Sequence, residues 1–381
     1  MSQKSFNTFI ELHLIQNFSP SNLNRDDTGS PKDCEFGGYR RARISSQALK
    51  RAIRNHPRFE ALTDVDNGTR SKKLTEPIIK ALVEQYGRDP ELAETVAIHF
   101  VSSYAAKMDS KKPDHTSVLI FYTASEVEKI VAKLQENWDA VIDKNDGKKL
   151  IGSLANDLVK QTKDRTSAPD VALFGRMLAS TPELNIDAAS QVSHAISTHR
   201  VAMEMDYYTA VDELNKNDEA GAGMVGFTGF NSACFYRYAR IDFNLLNENL
   251  DSRELAQRTV HAFLRSAIDA IPTGKQNAFA AQNPTSFALA VVRQDGMSWN
   301  LANSFETPIK ANKGKGYVSE SILNLDQLWG ALTRFYDDAE VSTISAYSAE
   351  LEPTTLTHLE DNKHETVSAW LAPINQALAT G

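Results

Sequence analysis

Four segments of the chain alternate hydrophobic and polar residues with the period of a β-strand. In residues 5–16, Ile10, Leu12 and Leu14 fall on one face. The pattern therefore predicts a strand there. Three later segments are predicted as strands in the same way, at residues 192–201, 233–243 and 286–294.

Two helices are predicted between these strands from apolar spacing and capping residues. Ser45 or Ser46 caps the first helix, which runs to about Arg54, because a serine hydroxyl satisfies free N–H groups at a helix start. The second helix covers residues 252–271 and ends at Pro272. The resulting order, β-α-β-β-α-β, is that of ferredoxin-like and RNA-recognition folds. The sequence thus predicts an α+β protein with a ferredoxin-like core.

Long insertions interrupt this order. Residues 58–165 are mostly helical by pattern, and Thr123 and Glu126 stand in the register of a capping box. Residues 202–232 separate the second and third strands and have a Gly-rich end. Residues 320–381 are expected to be helices and loops that complete the core.

The composition is that of a globular protein. Of the 381 residues, 41% are hydrophobic and 24% are charged, and the net charge is −8. No run approaches the roughly 18 apolar residues of a membrane-spanning helix. The two cysteines, Cys34 and Cys234, form no disulfide framework and have no metal-ligand spacing. These features favour a cytoplasmic protein without a cofactor.

Basic residues concentrate in one stretch of this acidic chain. The segment from Gly37 to Arg54 holds six basic residues and no acid, and it overlaps the end of a long loop predicted at residues 17–43. On the predicted helix, polar and basic side chains recur at i, i+3, i+4 and i+7 and therefore share one side. The stretch is either a docking surface for phosphates or a solvated helix face. The helix residues on this side are Gln47, Lys50, Arg51 and Arg54, and Arg25 and Lys32 precede them in the loop.

Other motifs admit competing interpretations. Asp26, Asp27, Asp33 and Glu35 are either ligands of a divalent metal or a turn cluster that pairs with nearby arginines. Residues 221–226 match G-x-G-x-x-G, but a strand is expected after them, so a hairpin return is favoured over a nucleotide site. The nine histidines form no H-E-x-x-H motif, and there is no G-x-S-x-G elbow. No motif therefore anchors a catalytic site.

Two further features lie in loops. Tyr207, Tyr208 and Thr209 stand within the second insertion, where aromatic side chains either stack on bases or pack against a neighbouring element. A small basic loop from Lys310 to Lys315 follows the fourth strand. In a ferredoxin-like sheet this strand lies beside the first strand on an outer edge. The basic loop is therefore expected to reach the surface formed by the loop after the first strand.

Several blocks of the sequence resemble one protein family. The longest are PSNLNRDD at residues 20–27 and RISSQALKRA at residues 43–52. With further blocks that run to about residue 310, they resemble the backbone subunit of the type I-E CRISPR surveillance complex, Cascade. The further blocks are residues 32–33, 36–38, 172–177, 193–199, 208–212, 235–239, 274–276, 283–284 and 301–306.

The resemblance implies a hand-shaped protomer. An RRM-like palm would comprise residues 1–56, 191–201 and 233–381, a helical fingers insertion residues 57–190, and a hairpin-type thumb residues 202–232. About six copies would stack head to tail along one guide RNA, through a heterologous interface that does not close. Each thumb would cover one base position, so that the RNA is kinked at regular intervals and the other bases pair with target DNA.

The resemblance also implies site residues and partners. The partners are guide RNA, target DNA, further copies of the chain, and the large, small, RNA-processing and end-cap subunits of Cascade. No membrane is involved, and the role is antiviral defence without catalysis. Phosphate contacts fall on Arg25, Lys32, Ser45, Gln47 and Lys50, the residue beside the kinked nucleotide is Met177, the thumb-tip threonine is Thr209, and the late lysine is Lys310.

Two functions compete at this point. The first is a non-enzymatic RNA-binding filament subunit, with Arg51 and Arg54 adding to the basic face. The second is a metal-dependent ribonuclease, as in type III-like effector complexes, which would use Asp26, Asp27 or Asp33. A nucleotide-binding enzyme is a distant third. The helix start and its basic face favour the first, because backbone capture accepts a guide of any sequence.

Overall fold

The computed structural model describes residues 7–210, 224–311, 316–337, 340–350 and 354–380, which contain both helices and strands. The chain divides into two units. Unit 1 comprises residues 1–59, 191–242 and 260–381, and unit 2 comprises residues 60–190 and 243–259. Residues 243–259, which the sequence-based domain boundaries assign to the palm, thus group with unit 2.

A sheet of ten strands organises unit 1. Its main path is β12-β11-β10-β1-β9-β7-β3-β2, and β6 and β8 also pair with β9. β1 pairs antiparallel with β9 and β10, and β7 pairs antiparallel with β9. The strands are β1 (Thr8–Ser21), β2 (Asp33–Phe36), β3 (Tyr39–Ile44), β6 (Ser190–Val192), β7 (Ala195–Ser197), β8 (Glu204–Ala210), β9 (Met224–Asp242), β10 (Phe287–Gln294), β11 (Val341–Ser348) and β12 (Lys363–His364).

Helices flank this sheet, so the predicted α+β class is confirmed. The four strands predicted from alternation correspond to β1, β7, β9 and β10. β10 does lie beside β1, but the expectation of an outer edge is wrong because β11 and β12 extend the sheet. The helices are α1 (Ser46–Arg54), α2 (Pro57–Thr63), α10 (Arg253–Asp269), α11 (Gln276–Phe279), α12 (Val318–Phe335) and α13 (Val367–Thr380).

Both faces of β1 are covered by apolar side chains. On one face, Leu12 lies with Leu49 of α1 and Phe263 of α10 around the same small interior space. On the other face, Ile15 belongs to a buried cluster with Trp329 of α12. Burying one such side chain contributes about 1.5–3 kcal/mol to folding. The two-sided burial fixes α1 against the sheet and hence its solvent-facing side.

A buried polar network accompanies these apolar contacts. Arg293 Nε donates to Glu11 Oε1 at 2.6 Å, and the backbone N–H of Trp299 donates to Glu11 Oε2 at 2.7 Å. His13 Nδ1 lies 2.9 Å from the hydroxyl of Tyr236. Because each of these side chains is buried, the hydrogen bonds are needed to offset the loss of water.

The long loop predicted at residues 17–43 is wrong in its extent. β1 continues to Ser21, and β2 and β3 form a hairpin. Gly37 and Gly38 have φ of 61° and 76°, the left-handed values that a type I′ turn requires and that glycine adopts without strain. A Cβ at Gly37 would also lie 2.0 Å from the backbone oxygen of Glu306. The Gly37-Gly38 pair in the sequence therefore indicates the tight turn between β2 and β3.

Residues 320–381 also contain two strands, β11 and β12, where only helices and loops were expected. β11 pairs antiparallel with β10 along most of its length. Only Ser345 and Ala346 of this strand are buried, and its small and hydroxyl-bearing side chains give a weak alternation. The pairing with β10, a contact distant in sequence, decides its conformation.

Unit 2 is mainly helical, which confirms the prediction for residues 58–165. In the predicted capping box, the Thr123 hydroxyl accepts the Glu126 N–H at 3.1 Å, and the Glu126 carboxylate accepts the Thr123 N–H at 2.8 Å. Across the described ranges, no helix combines the length and apolar character needed to cross a membrane. The elements are β4 (Thr69–Ser71), β5 (Ile120–Tyr122), α3 (Thr75–Glu84), α4 (Pro90–Tyr104), α5 (Ala124–Glu136), α6 (Trp138–Val141), α7 (Gly147–Thr162), α8 (Pro169–Phe174) and α9 (Phe243–Leu250).

Candidate nucleic-acid interface

Helix α1 begins at a serine that caps it with its side chain. Ser45 has an extended backbone, and its Oγ accepts the N–H of Ala48 at 3.3 Å. Its own N–H donates to Oδ1 of Asn24 at 2.8 Å. No acidic residue stands in the first turn of this nine-residue helix. The partial positive charge of the helix start is therefore available to an anion such as phosphate.

The two sides of α1 differ as the sequence predicted. The apolar side is buried, whereas Gln47 and Arg51 are exposed and Lys50 and Arg54 are half-buried. Burial lowers the pKa of Lys50, because desolvation disfavours the charged amine. A phosphate beside this amine would favour the charged form again.

The loop of residues 22–32 folds back on itself beside this helix start. Arg25 forms a β-bridge with the far side of the loop, and the Lys32 N–H donates to the backbone oxygen of Asn24 at 2.9 Å. Arg25 is exposed and Lys32 is half-buried. Because Asn24 also binds Ser45, the structure brings Arg25, Lys32 and the helix start together.

Two nearby acidic residues, Asp26 of the loop and Asp33 of β2, are engaged in a turn and an ion pair. Asp26 Oδ1 accepts hydrogen bonds from the Thr28 hydroxyl at 2.7 Å and from the N–H groups of Thr28 and Ser30. These bonds, the Thr28 hydroxyl foremost, lower the pKa of Asp26. The Asp33 carboxylate lies 2.9 Å from Arg40 Nε. The described residues contain no group of three or more His, Cys, Asp or Glu suited to a metal ion. This geometry supports the turn-cluster interpretation.

A cleft of about 670 Å³ opens between the loop and α1. Arg25 and Arg51 line it from the loop and from the helix, together with two acidic side chains of the loop. Residues 271–274 line it as well, and a Cβ at Gly274 would lie 2.3 Å from the backbone oxygen of Leu23. Glycine is therefore needed where this segment meets the loop.

The segment that carries Lys310 is anchored at both ends. Lys310 is exposed, and the N–H of the preceding Ile309 donates to the backbone oxygen of Thr198 at 3.0 Å. Beyond it, Tyr317 stacks on His199 with ring centroids 3.6 Å apart. The remaining lysines of this basic loop lie outside the described residues.

Arg41 differs from its basic neighbours because it is fully buried. Its guanidinium donates to the backbone oxygens of Ser197 at 2.9 Å and Phe305 at 2.7 Å, and to that of Glu306 at 3.1 Å. It therefore joins β3 to β7 and to the segment that leads to Lys310. Arg41 is a structural residue, although the charge count placed it in the docking surface.

β8 and β9 form a hairpin where the sequence predicted the thumb. Thr209 is exposed on β8. On the same face, the ring of Tyr207 lies 5.3 Å from that of Phe227, edge to face. Tyr208 lies on the opposite face, over Gly226. Aromatic side chains are thus presented on both faces of the hairpin.

The glycine motif of residues 221–226 continues into this hairpin. Gly226 pairs with Tyr208 in the β8–β9 ladder, while residues 211–223 lie outside the described residues. A dinucleotide fingerprint opens a helix at its last glycine. A strand at Gly226 therefore supports the hairpin-return interpretation.

Met177 projects from unit 2 with 83% of its surface exposed. The preceding Arg176 is buried and donates to the backbone oxygen of Leu184 at 2.8 Å and to Glu126 Oε1 at 2.7 Å. Gly175, with φ of 80°, turns the chain out of α8 just before them. The buried arginine therefore holds the exposed methionine at the surface.

The structure divides the predicted site residues into four groups. The largest group has seven residues, which lie together on α1 and its loop. The sequence did not indicate the positioning roles of Asn22, Asn24 and Arg41. Two asparagines beside a Pro-Ser pair are a signal for a hydrogen-bonded turn, but the sequence cannot show what their side chains bind. The groups are Arg25, Lys32, Ser45, Gln47, Lys50, Arg51 and Arg54 on α1 and its loop, Lys310 beside β7, Thr209 on the hairpin, and Met177 in unit 2.

A comparison with protein-family models matches residues 10–372 to the family described as CT1975-like protein. The chain belongs to the CT1975-like protein family. The match covers α1, its loop, the hairpin and the helical unit, so it extends over every predicted site residue.

Solved structures resemble this CT1975-like protein over nearly its whole length. A chain of a CRISPR RNA-guided surveillance complex, pre-nicking, is 28% identical with a TM-score of 0.83, covering 97% of this chain and 100% of that one. A chain of a second CRISPR RNA-guided surveillance complex is 26% identical with a TM-score of 0.74, covering 98% and 100%. A search of curated proteins finds no match. These similarities confirm the resemblance inferred from the sequence and support a Cascade-type role.

Proposed function

We propose that this chain is the non-catalytic backbone subunit of a type I-E Cascade complex, which polymerises along the guide RNA. Each copy holds the RNA phosphates, kinks the strand at a regular interval and leaves the other bases free to pair with target DNA. The observation that carries the proposal is the tie between the loop of Arg25 and Lys32 and the capped start of α1 through Asn24.

This arrangement suits capture of a nucleic-acid backbone rather than reading of bases. The helix start offers N–H groups and a serine hydroxyl, and the adjoining side chains are lysine and arginine. Such groups bind phosphate oxygens in any sequence. A guide RNA must be accepted whatever its sequence, because base pairing supplies the recognition.

The hairpin supplies the second part of the proposal. Its exposed Thr209 and aromatic side chains stand apart from the phosphate-binding groups. Inserting such a wedge beside a base costs a few kcal/mol of unstacking, which repeated phosphate contacts along the filament offset. Met177 of unit 2 is proposed to lie beside the kinked nucleotide.

The partners of the proposed subunit are the guide RNA, other copies of the chain, about six in number and joined head to tail, and the remaining Cascade subunits. Target DNA is the partner of the paired guide. Support comes from the two similar chains, which belong to RNA-guided surveillance complexes. The ribonuclease alternative has less support, because Asp26 and Asp33, two of its three candidate acids, have partners in a turn and an ion pair.

The test is purification of the tagged chain from its host, followed by sequencing of the RNA that co-purifies. We expect short RNAs with a constant flank and a variable guide, bound by several copies of the chain. Chemical probing of that RNA should show unstacked bases at a fixed interval. Adding Mg²⁺ or Mn²⁺ with a complementary RNA should give no regular cleavage. Regular cuts, or purification without RNA, would contradict the proposal.

A further inference from the structure

We propose that Asn22 is a positioning residue that fixes the β8–β9 hairpin to the loop of residues 22–32. It thereby sets the distance between the phosphate contacts of Arg25 and Lys32 and the base-side group at Thr209. The consequence for RNA rests on the proposed function, whereas the mechanical role of Asn22 does not.

The side chain of Asn22 joins these two parts directly. It is fully buried, and its Nδ2 donates to the backbone oxygen of Gly29 at 3.0 Å and to that of Gly229 at 2.8 Å. Gly29 lies in the loop and Gly229 lies in β9 at the base of the hairpin. One amide group thus holds the loop and the hairpin at a fixed separation.

The chemistry of asparagine suits this place. Both partners are carbonyl oxygens, and the Asn22 Nδ2 group offers each of them a donor. Aspartate has nearly the same shape but would place a carboxylate against two acceptors, and leucine offers no donor. Oδ1 of Asn22 is buried without a hydrogen-bond partner among the described residues, so the side chain is held through its nitrogen.

The bond stands where the hairpin leaves the sheet. The β1–β9 ladder has its last pair at Ser21 and Asn231, after a register shift. From Phe230 back to Met224, the described residues of β9 pair with β8 alone. A two-stranded ribbon is only marginally stable by itself. The hydrogen bond from Asn22 to Gly229 therefore comes directly after the last pair of the β1–β9 ladder.

Apolar side chains lie close to the backbone of Gly229 at the same point. A Cβ at Gly229 would lie 3.1 Å from Pro31 Cδ and 3.2 Å from Met203 Sδ. These neighbouring side chains are apolar and can shift, whereas the two amide hydrogen bonds have fixed directions. We therefore assign the orientation of the hairpin to Asn22.

Loss of this orientation would be magnified along the hairpin. Val225, the partner of Thr209, lies four residues beyond Gly229, which is about 13 Å at about 3.3 Å per residue. A tilt of about 20° at the base would move that point by about 4.5 Å, which exceeds the roughly 3.4 Å between stacked bases. The phosphate contacts on α1 would not move with it.

The test needs no RNA. Spin labels are placed on the exposed Asp27 and Asp206 as Asp27→Cys and Asp206→Cys, with the half-buried native cysteine removed as Cys34→Ser; Cys234 is buried. Asn22→Leu should broaden the distance distribution between the labels roughly twofold, since the hairpin then opens locally. The matched control is Asn17→Leu, at an exposed position of β1. This control should leave the width of the distance distribution unchanged. An unchanged width in Asn22→Leu overturns the proposal.

A second variant covers the case in which Asn22→Leu does not fold. In Asn22→Asp, burial beside two carbonyl oxygens should raise the pKa of the new carboxyl. A protonated carboxyl donates one hydrogen bond, so the distribution should narrow as the pH is lowered through that pKa. A width that does not depend on pH overturns the proposal.

The RNA readout then separates positioning from folding. In the assembled complex, Asn22→Leu should hold guide RNA within about threefold of the wild-type affinity, since the phosphate contacts remain. In the wild-type complex, mismatches to target DNA should be tolerated at each kinked guide position, because the base there does not pair. Asn22→Leu should lose this periodic tolerance. A full periodic pattern in the variant overturns the proposal. A wild-type complex without guide RNA refutes the proposed function but leaves the distance result standing.

Discussion

Asn24 holds the start of the basic helix from outside the helix. Its side-chain Oδ1 accepts the N–H of Ser45 at 2.8 Å, and its backbone oxygen accepts the N–H of Lys32 at 2.9 Å. One residue thus fixes the capping serine relative to the loop that carries Lys32. Phosphate groups on adjacent nucleotides need such a fixed separation between their partners.

Asn24→Ala should weaken guide-RNA binding by about fivefold for each protomer. This factor corresponds to about 1 kcal/mol, the typical contribution of one hydrogen bond. The cause would be a displaced Ser45 and not a changed charge. The slope of affinity against salt should therefore stay as in the wild type. Filter binding at several salt concentrations measures both quantities.

The matched control for this change is Asn156→Ala, at an exposed position of α7. It should alter neither affinity nor slope. An Asn24→Ala protein with wild-type affinity would show that the Asn24–Ser45 bond does not shape the RNA site.

Lys50→Ala should weaken RNA binding about equally for all guide sequences. Lys50 stands on the basic side of α1, and under the proposed function this variant lacks one phosphate contact. For a single strand, the slope of log affinity against log salt should fall by about 0.7 per protomer. Titrations with several guides across a salt series provide the measurement.

Lys129→Ala, an exposed lysine of α5 in unit 2, is the charge-matched control for Lys50→Ala. The control should keep the wild-type slope. An effect of Lys50→Ala that depended on base identity would rule out backbone capture at this residue.

Arg176→Met should destabilise unit 2 by about 3–5 kcal/mol, because it leaves the buried Glu126 carboxylate without its ionic partner. The Arg176–Glu126 pair is almost fully buried, with a separation of 2.7 Å. Chemical denaturation of Arg176→Met, Glu126→Gln and the double variant gives the coupling between them. The double variant should lose less stability than the sum of the single changes. Simple additivity would mean that the ion pair contributes nothing.

Acid should destabilise unit 1 through His13. Burial, assisted by Arg293, lowers the pKa of His13 to about 3. The unfolded chain therefore takes up a proton near its ordinary value of 6.5, whereas the folded chain does not. The contribution of His13 to the free energy of unfolding is fully present above pH 6.5. It falls by about 1.4 kcal/mol per pH unit as the pH drops toward 3.

His13→Asn should remove this contribution to the pH dependence, as measured by denaturation at pH 6.5, 5.5 and 4.5. The comparison variant is His194→Asn. Burial also lowers the pKa of His194, but its more solvated ring should give a smaller change in slope. Equal slopes for the wild type and His13→Asn would place the acid sensitivity elsewhere.

Local patterns were sufficient where a few neighbouring residues decide the structure. The Ser45 cap, the apolar side of α1 and the Thr123–Glu126 capping box depend on residues three or four apart, and each was predicted. The Gly37-Gly38 turn depends on two residues and was available as a signal. The family resemblance also rested on contiguous blocks, so it could be recognised from the sequence.

Contacts distant in sequence decided the rest. β11 depends on β10, and Arg41 is buried because backbone oxygens of residues 305 and 306 surround its guanidinium. From charge alone, Arg41 and Arg40 were both expected on the docking surface. Arg40 is exposed and paired with Asp33. Sequence spacing carries no information on which of two adjacent arginines will meet a distant segment.

By itself, the sequence determined the class of the fold, the helical character of unit 2, and the stretch of chain that carries the candidate phosphate-binding groups. Only the tertiary structure decided how those groups are held. Asn22 and Asn24 each bond partners on segments that fold brings together, Gly229 and Ser45. The physical reason is that a hydrogen bond needs its donor and acceptor within about 3 Å, and for residues far apart along the chain only the folded sheet sets that distance.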